Sequence, residues 1–220
     1  MRPCFKSYAK VLIGDSTLRS FGRTKKAYEK VSITGFGGMD LLELCNILRS
    51  GKLSAENDLD KYPVRQRFQN GRDEFAKVRF CKHCRTECME EFDGDVFIFI
   101  GLNNALKADR SPFADFKRDN AQDIKEMFKL LDKIVAEMLP FANVTFMHPL
   151  KVSLQKFWHG PPVHKLVFAQ VNEEITKRKH IKYDTEAPFN QNLFDFGGVH
   201  MHDADSVRFW EPILGLKRTY

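Results

Sequence analysis

The sequence predicts a three-layer α/β/α sandwich built on a central, mostly parallel sheet. Three observations predict it. Strand-like and helix-like segments alternate along the chain, the pattern that crossover connections produce. The strongest strand candidate, Asp95–Ile100, is β-branched or aromatic at every position after its first residue. A strand apolar on both faces belongs in a sheet covered by helices on both sides. Finally, three glycine-containing breaks follow strand candidates directly, and open parallel sheets gather ligands at those carboxyl ends.

Taken in order, Tyr8–Ile13 is a short apolar run ending at Gly14-Asp15-Ser16, a buried strand and its turn. Lys30–Thr34 alternates Val31 and Ile33 with polar residues and ends at Gly35-Phe36-Gly37-Gly38. From Asp40 to Ser50 the apolar residues recur with helical spacing, and Gly51 stands where a C-terminal cap belongs. Asp95–Ile100 ends at Gly101-Leu102-Asn103-Asn104. Ala121–Met138 is the clearest helix, with Ile124, Met127, Phe128, Leu131, Ile134 and Met138 spaced mostly by three and four. Asn143–Met147 is a strand stopped by His148-Pro149, which sets aside the glycosylation sequon Asn143-Val144-Thr145. Val163–Lys179 reads as a helix with a basic end, His180–Tyr183 as a short strand, and Asp203–Leu214 as a last helix.

A chain of 220 residues suits one domain spanning 1–220, long enough to bury a sizeable core. Within it, 51–94 has no clean period and reads as a basic, Cys-containing insertion. The hydrophobic fraction of 43% and charged fraction of 29% argue against disorder. Twenty Phe against five Tyr and two Trp predict a core of large apolar rings. No apolar run approaches the roughly 18 residues of a membrane span. Residues 1–10 carry charge and no apolar leader core, and five cysteines at uneven spacing make a poor disulfide framework. The expected location is therefore intracellular, cytoplasmic or nuclear.

The three breaks supply different parts of an acyl-transfer site. Ser16 offers a hydroxyl at a helix start, where backbone N–H groups favour negative charge. The glycines of 35–38 let bare backbone approach it. Asn103 offers an amide donor, and one donor to a developing oxyanion contributes about 10²–10³ in rate. A nucleophilic serine also needs a base. His200 and His202 lie near the C-terminus in Gly197-Gly198-Val199-His200-Met201-His202-Asp203-Ala204.

In this order the motifs resemble the four blocks of the SGNH (GDSL) hydrolase superfamily, esterases and lipases with a flavodoxin-like sandwich. Val11-Leu12-Ile13-Gly14-Asp15-Ser16-Thr17-Leu18 is similar to the first block, Gly38 to the second, Asn103 to the third, and Gly198 to Ala204 to the last. The resemblance extends from residue 8 to about 214. It implies Ser16 as nucleophile and His200 as general base, with Ser16, Gly38 and Asn103 forming the oxyanion hole. Spacing favours His200 over His202. A small ester is the implied substrate, and no organic cofactor is required.

Two positions depart from the family pattern. Gly197 stands where the last block has Asp, and Asn104 where the third has Asp. The acid that orients the base is thus absent from its usual place. Asp195, two residues earlier, is one replacement, a backbone carbonyl or water behind His200 is another, and the resemblance also allows a weak Ser16–His200 dyad. The superfamily also includes members with eroded sites that bind RNA or proteins, so a binding module is the alternative reading.

Cys81-Lys82-His83-Cys84-Arg85-Thr86-Glu87-Cys88 contains a Cys-x₂-Cys pair. Cys81, Cys84 and Cys88 are candidate ligands for a structural zinc, with free thiols in an insertion as the alternative. Residues 61–85 hold eight Lys/Arg against two acids, which equals the whole formal charge of +6. Arg65, Arg67, Arg72, Lys77 and Arg79 alternate there with Tyr62, Phe68, Phe75 and Phe80. Charge for phosphates and rings for bases make RNA a candidate partner; a solvated charged face is the other reading. The RNA reading predicts salt-dependent binding, weakened at least tenfold when Arg65, Arg67, Arg72 and Arg79 are reversed to Glu. Filter binding across a salt series checks it, and unchanged binding contradicts it.

Overall fold

The computed structural model describes residues 8–23, 28, 30–35, 39–49, 91–106, 121–153 and 162–216. Its centre is a four-stranded, all-parallel sheet in the order β2-β1-β3-β4. The strands are β1 (Lys10–Gly14), β2 (Val31–Gly35), β3 (Asp95–Phe99) and β4 (Asn143–Met147). Between and after them come helices α1 (Ser16–Arg23), α2 (Leu41–Arg49), α3 (Leu102–Leu106), α4 (Ala121–Met138), α5 (Pro162–Thr176), α6 (Ala187–Asn190) and α7 (Asp203–Leu214).

Alternation along each strand divides the interior into two cores. Val11, Ile13, Val96, Ile98 and Phe146 face one side, where α2, α4 and α5 bring Leu41, Leu44, Leu48, Phe128, Leu131, Ile134 and Val171. Leu12, Phe97, Phe99 and Met147 face the other, where α1 and α7 bring Leu18, Phe21, Val207, Trp210 and Leu214. This is the expected three-layer sandwich. The central strands β1 and β3 are buried on both faces from their second residue onward.

Ion pairs and caps fix the helices at their ends. Asp40 and Glu43 form a reciprocal capping box on α2, each backbone N–H donating to the other's carboxylate at 3.0 Å. Lys10 Nζ donates to the carbonyl of Leu214 at 2.9 Å, a cation on the last turn of α7. Gly215 closes that helix in the left-handed region at φ 59°.

Three expectations change. The helix expected to run to Lys179 stops at Thr176, and the basic residues beyond it are held by neighbours. Arg178 pairs with Asp132 at 2.6 Å and Glu174 at 3.0 Å and lies over the Phe128 ring, tying α4 to α5 rather than extending a basic face. The strand expected at His180–Tyr183 shrinks to one parallel bridge between His180 and Phe146, because Tyr183 turns inward and its hydroxyl donates to the His148 carbonyl. At the end of the presumed insertion, Phe92 is buried in the core and Gly94 accepts from Asn143 N at 3.0 Å. Residues 91–94 therefore lead into β3; 51–90 lie outside the described residues.

Asn143 opens β4 and is exposed, while Thr145 is buried inside the strand. No helix among the described residues is long and apolar enough to cross a membrane. Phe128 is fully buried between α4 and β4, with the Phe146 ring 6.2 Å away. Phe128→Ala is expected to cost about 3–5 kcal/mol in urea unfolding. A loss below about 1 kcal/mol would contradict its place in the core.

Candidate functional site

At the end of β1 the chain must turn sharply while staying in register with β3. Gly14 pairs with Phe99, and a Cβ on Gly14 would lie 2.5 Å from the Phe99 Cβ, so only glycine fits. Asp15 then fastens the turn. Its N–H donates to the Phe99 carbonyl at 3.0 Å, and its Oδ1 accepts from Thr17 N at 2.9 Å. This is an N-cap on α1, with Ser16 as the first helical residue. Both Asp15 and Ser16 are buried. The Ser16 hydroxyl thus stands at a helix N-terminus, in a field that favours negative charge.

The end of β3 is fixed by a second glycine. Gly101 has φ +108°, and a Cβ there would collide with the Val171 side chain of α5. The turn leads into α3, so Asn103 is a helical residue rather than part of a loop. Asn103 is buried, and its Nδ2 donates to the Met39 carbonyl at 3.0 Å. A primary amide has two N–H donors, so this bond occupies one and leaves the second for another acceptor. Asn104 has a different task, because its Oδ1 accepts from Leu41 N at 3.1 Å and caps the start of α2. The amide at the departing position is therefore a helix cap. A carboxylate accepts the same bond.

His200 lies on a short antiparallel ladder before α7. Phe194 bridges Met201, Asp195 N donates to the His200 carbonyl at 2.7 Å, and His202 N donates to the Leu193 carbonyl at 3.0 Å. Gly198 N closes the turn onto the Asp195 carbonyl at 2.9 Å, with Gly198 at φ +67°. The pairing sets Asp195 beside His200, with Oδ2 3.9 Å from Nδ1. A Cβ added at Gly197 would lie 3.2 Å from Asp195 Oδ1. The carboxylate of Asp195 thus occupies space next to where a side chain at 197 would begin. His202 is exposed at the start of α7.

Helix direction brings these parts to one end of the sheet. The C-terminus of α7 meets Lys10 at the start of β1, and Tyr28, beyond α1, donates to Glu211 at 2.7 Å. The N-termini of α1 and α7 therefore both lie at the carboxyl end of the sheet, Ser16 on one and His200 just before the other. Val199 packs against Leu102 and Ala105, which brings the His200 turn to the helix carrying Asn103.

A scan against protein-family models finds no match, and neither does a search of the curated proteins. Solved structures do match. A lipolytic protein of the G-D-S-L family from Veillonella parvula aligns at TM-score 0.51 and 14% identity, over 93% of this chain and 94% of its own. An acetyl xylan esterase from Geobacillus stearothermophilus aligns at TM-score 0.51 and 16% identity, over 96% of both chains. An α/β hydrolase enzyme from the metagenome of Lake Arreo, Spain, aligns at TM-score 0.53 and 11% identity, over 97% of this chain and 98% of its own. The fold is that of the SGNH/GDSL hydrolases.

On this SGNH fold the four blocks divide unevenly. Ser16, Asn103 and His200 have described surroundings. Gly38 lies outside the described residues, as do Cys81, Cys84, Cys88, Arg65, Arg67, Arg72, Lys77 and Arg79. Among the described residues no group of three or more His, Cys, Asp or Glu gathers to hold a metal.

Sequence reasoning missed a second layer beneath Ser16. His148 follows β4 with Nδ1 2.8 Å from Asn172 Oδ1, and the His180 ring stands edge-on with centroids 5.0 Å apart. Burial lowers the His148 pKa; the Asn172 hydrogen bond opposes this, and the charge of His180 adds to it. Tyr183 is partly buried beside Trp210, and desolvation of its phenol together with the charge of Asp15 pushes it well above the ordinary value. Only the His-Pro after a strand marked this layer in the sequence.

The lowered His148 pKa has a defined consequence. Between the unfolded value of 6.5 and the lower folded one, the unfolded chain binds the extra proton. The contribution of neutral His148 is complete above 6.5 and is lost as pH falls through that window. An imidazole NMR titration is expected to give a His148 midpoint below 6.5, and His148→Gln to flatten the loss of stability there. A midpoint above 6.5 contradicts the burial argument.

Proposed function

We propose that this chain is a serine esterase acting on small esters, with Ser16 as nucleophile, His200 as general base and Asp195 as the acid that orients it. The observation carrying this reading is the placement of the Asp195 carboxylate. It is 3.9 Å from His200 Nδ1 and fills space beside Gly197, the position where the resemblance places an acid. The short ladder supplies from residue 195 what the usual motif supplies from 197.

The chemistry follows from the parts. Ser16 Oγ attacks the ester carbonyl while His200 Nε2 takes its proton. The oxyanion is met by the N–H of Ser16, the N–H of Gly38 and the second Nδ2–H of Asn103, whose first is held by Met39. Collapse expels the alcohol, which takes the proton back from His200. Water then attacks the acyl-enzyme with His200 again as base. Asp195 supports the imidazolium formed in each half-reaction. At 3.9 Å the contact is longer than a hydrogen bond, and both side chains are more than a third exposed, so its effect is smaller than in a buried triad. No metal or organic cofactor enters any step. The acetyl xylan esterase among the structural neighbours supports a short acyl group.

The alternative is an eroded SGNH-type module that binds RNA or a protein. The basic residues of 61–85 favour RNA as its partner, since they carry the whole net charge. Turnover separates the two readings. With p-nitrophenyl acetate, Ser16→Ala and His200→Ala are each expected to lower kcat on the order of 10³-fold or more. Asp195→Asn is expected to cost about 10–100-fold, less than the roughly 10⁴ of a buried triad acid. Hydrolysis that survives Ser16→Ala and His200→Ala unchanged overturns the assignment. Full activity in Asp195→Asn removes Asp195 alone.

A further inference from the structure

A small cavity lies beside the Asp15–Thr17 turn, where α1 and α7 pack on the carboxyl end of the sheet. It is bordered by Asp15 and Thr17 at the start of α1, Phe99 of β3, His148 after β4, and Trp210 of α7. The space open to the centre of a water-sized sphere is about 10 Å³. That is about the volume one water molecule requires.

The polar inventory around this space points to an occupant. Trp210 is fully buried, and its Nε1–H has no hydrogen-bond partner among the described residues. The indole is fixed by edge-on contacts with Phe99 at 4.9 Å, Phe209 at 4.8 Å and Tyr183 at 5.5 Å between ring centroids. None of these contacts gives the indole N–H a hydrogen bond. A buried indole N–H left without an acceptor costs on the order of 1–3 kcal/mol. Asp15 borders the same cavity, and its carboxylate accepts from Thr17 N through Oδ1. An ionised carboxylate has about four lone-pair sites, enough to take a water beside its protein partners.

We propose that the cavity binds one water molecule, which accepts from Trp210 Nε1–H and donates to the Asp15 carboxylate. The water joins the turn that presents Ser16 to the helix that follows His200. Trp210 is then a positioning residue: it supports Asp15, and Asp15 caps the helix that begins with Ser16. The bridge stands whether or not Ser16 turns over an ester, and its test uses no turnover.

The test compares crystal structures of the wild-type chain, Trp210→Phe and Ser206→Ala at about 1.5 Å resolution. Trp210→Phe keeps a ring and removes the donor. Ser206→Ala alters another buried polar side chain one turn earlier on α7, which does not itself border the cavity. The expected result is a density peak within about 3.2 Å of both Trp210 Nε1 and an Asp15 carboxylate oxygen. It is retained in Ser206→Ala and lost in Trp210→Phe. Amide hydrogen exchange gives a second readout, with Thr17 N–H exchanging about tenfold faster in Trp210→Phe and unchanged in Ser206→Ala. A wild-type cavity without density, or Trp210 Nε1 donating directly to a protein acceptor, overturns the proposal. Thr17 exchange unchanged by Trp210→Phe overturns the positioning role.

Discussion

The approach of Gly14 to Phe99 governs the carboxyl end of this sheet. Two central parallel strands stay in register to their last residues only because one has no side chain there. That closeness lets Asp15 donate its N–H to the Phe99 carbonyl while its carboxylate caps α1. One residue is therefore bonded to β3 and to the helix at once. The position and heading of Ser16 follow from these bonds rather than from contacts of its own. A bulkier residue at 14 would separate the strands just where the turn forms.

The other elements inherit their places from this junction. Alternation along β1 and β3 sends Leu12, Phe97 and Phe99 toward α1 and α7. Those two helices run in the same direction, as the Lys10–Leu214 and Tyr28–Glu211 bonds at their far ends require. Parallel helices on one face put the turn before α7 at the same end as Ser16. On the other face, Gly101 lets α5 close on the start of α3, and α3 reaches the start of α2 through Asn103 and Asn104. Three loops from distant parts of the chain thereby meet through backbone capping bonds. Such bonds change little when surface residues change. An SGNH fold at 11–16% identity to solved structures fits that kind of framework.

Much of this was legible in the sequence where one signal dominated locally. Ala121–Met138 and Asn143–Met147 have the expected bounds because an unbroken apolar period and a β-branched run each specify one structure. The placement of Ser16 at a helix start was legible because Gly-Asp-Ser combines a turn glycine with a capping acid. The tasks of Asn103 and Asn104 were not, since their partners Met39 and Leu41 are 64 and 63 residues away in the chain. Asp195 was legible as a replacement acid from its nearness in the sequence, but the ladder that sets it beside His200 was not. A fixed spacing of three encodes one turn geometry, and a ladder with a four-residue turn delivers a carboxylate from five residues away. The end of α5 was overrun because Lys177, Arg178 and Lys179 read as a helix terminus, whereas Arg178 serves Asp132 and Glu174.

The proposed reaction requires that this junction present a serine activated by His200. Covalent labelling with a small alkyl fluorophosphonate, followed by peptide mass spectrometry, tests it without knowledge of the natural ester. A single adduct is expected on the peptide containing Ser16, formed by the wild-type chain and lost in His200→Ala. An adduct on another residue, or labelling of Ser16 that proceeds equally without His200, would contradict it.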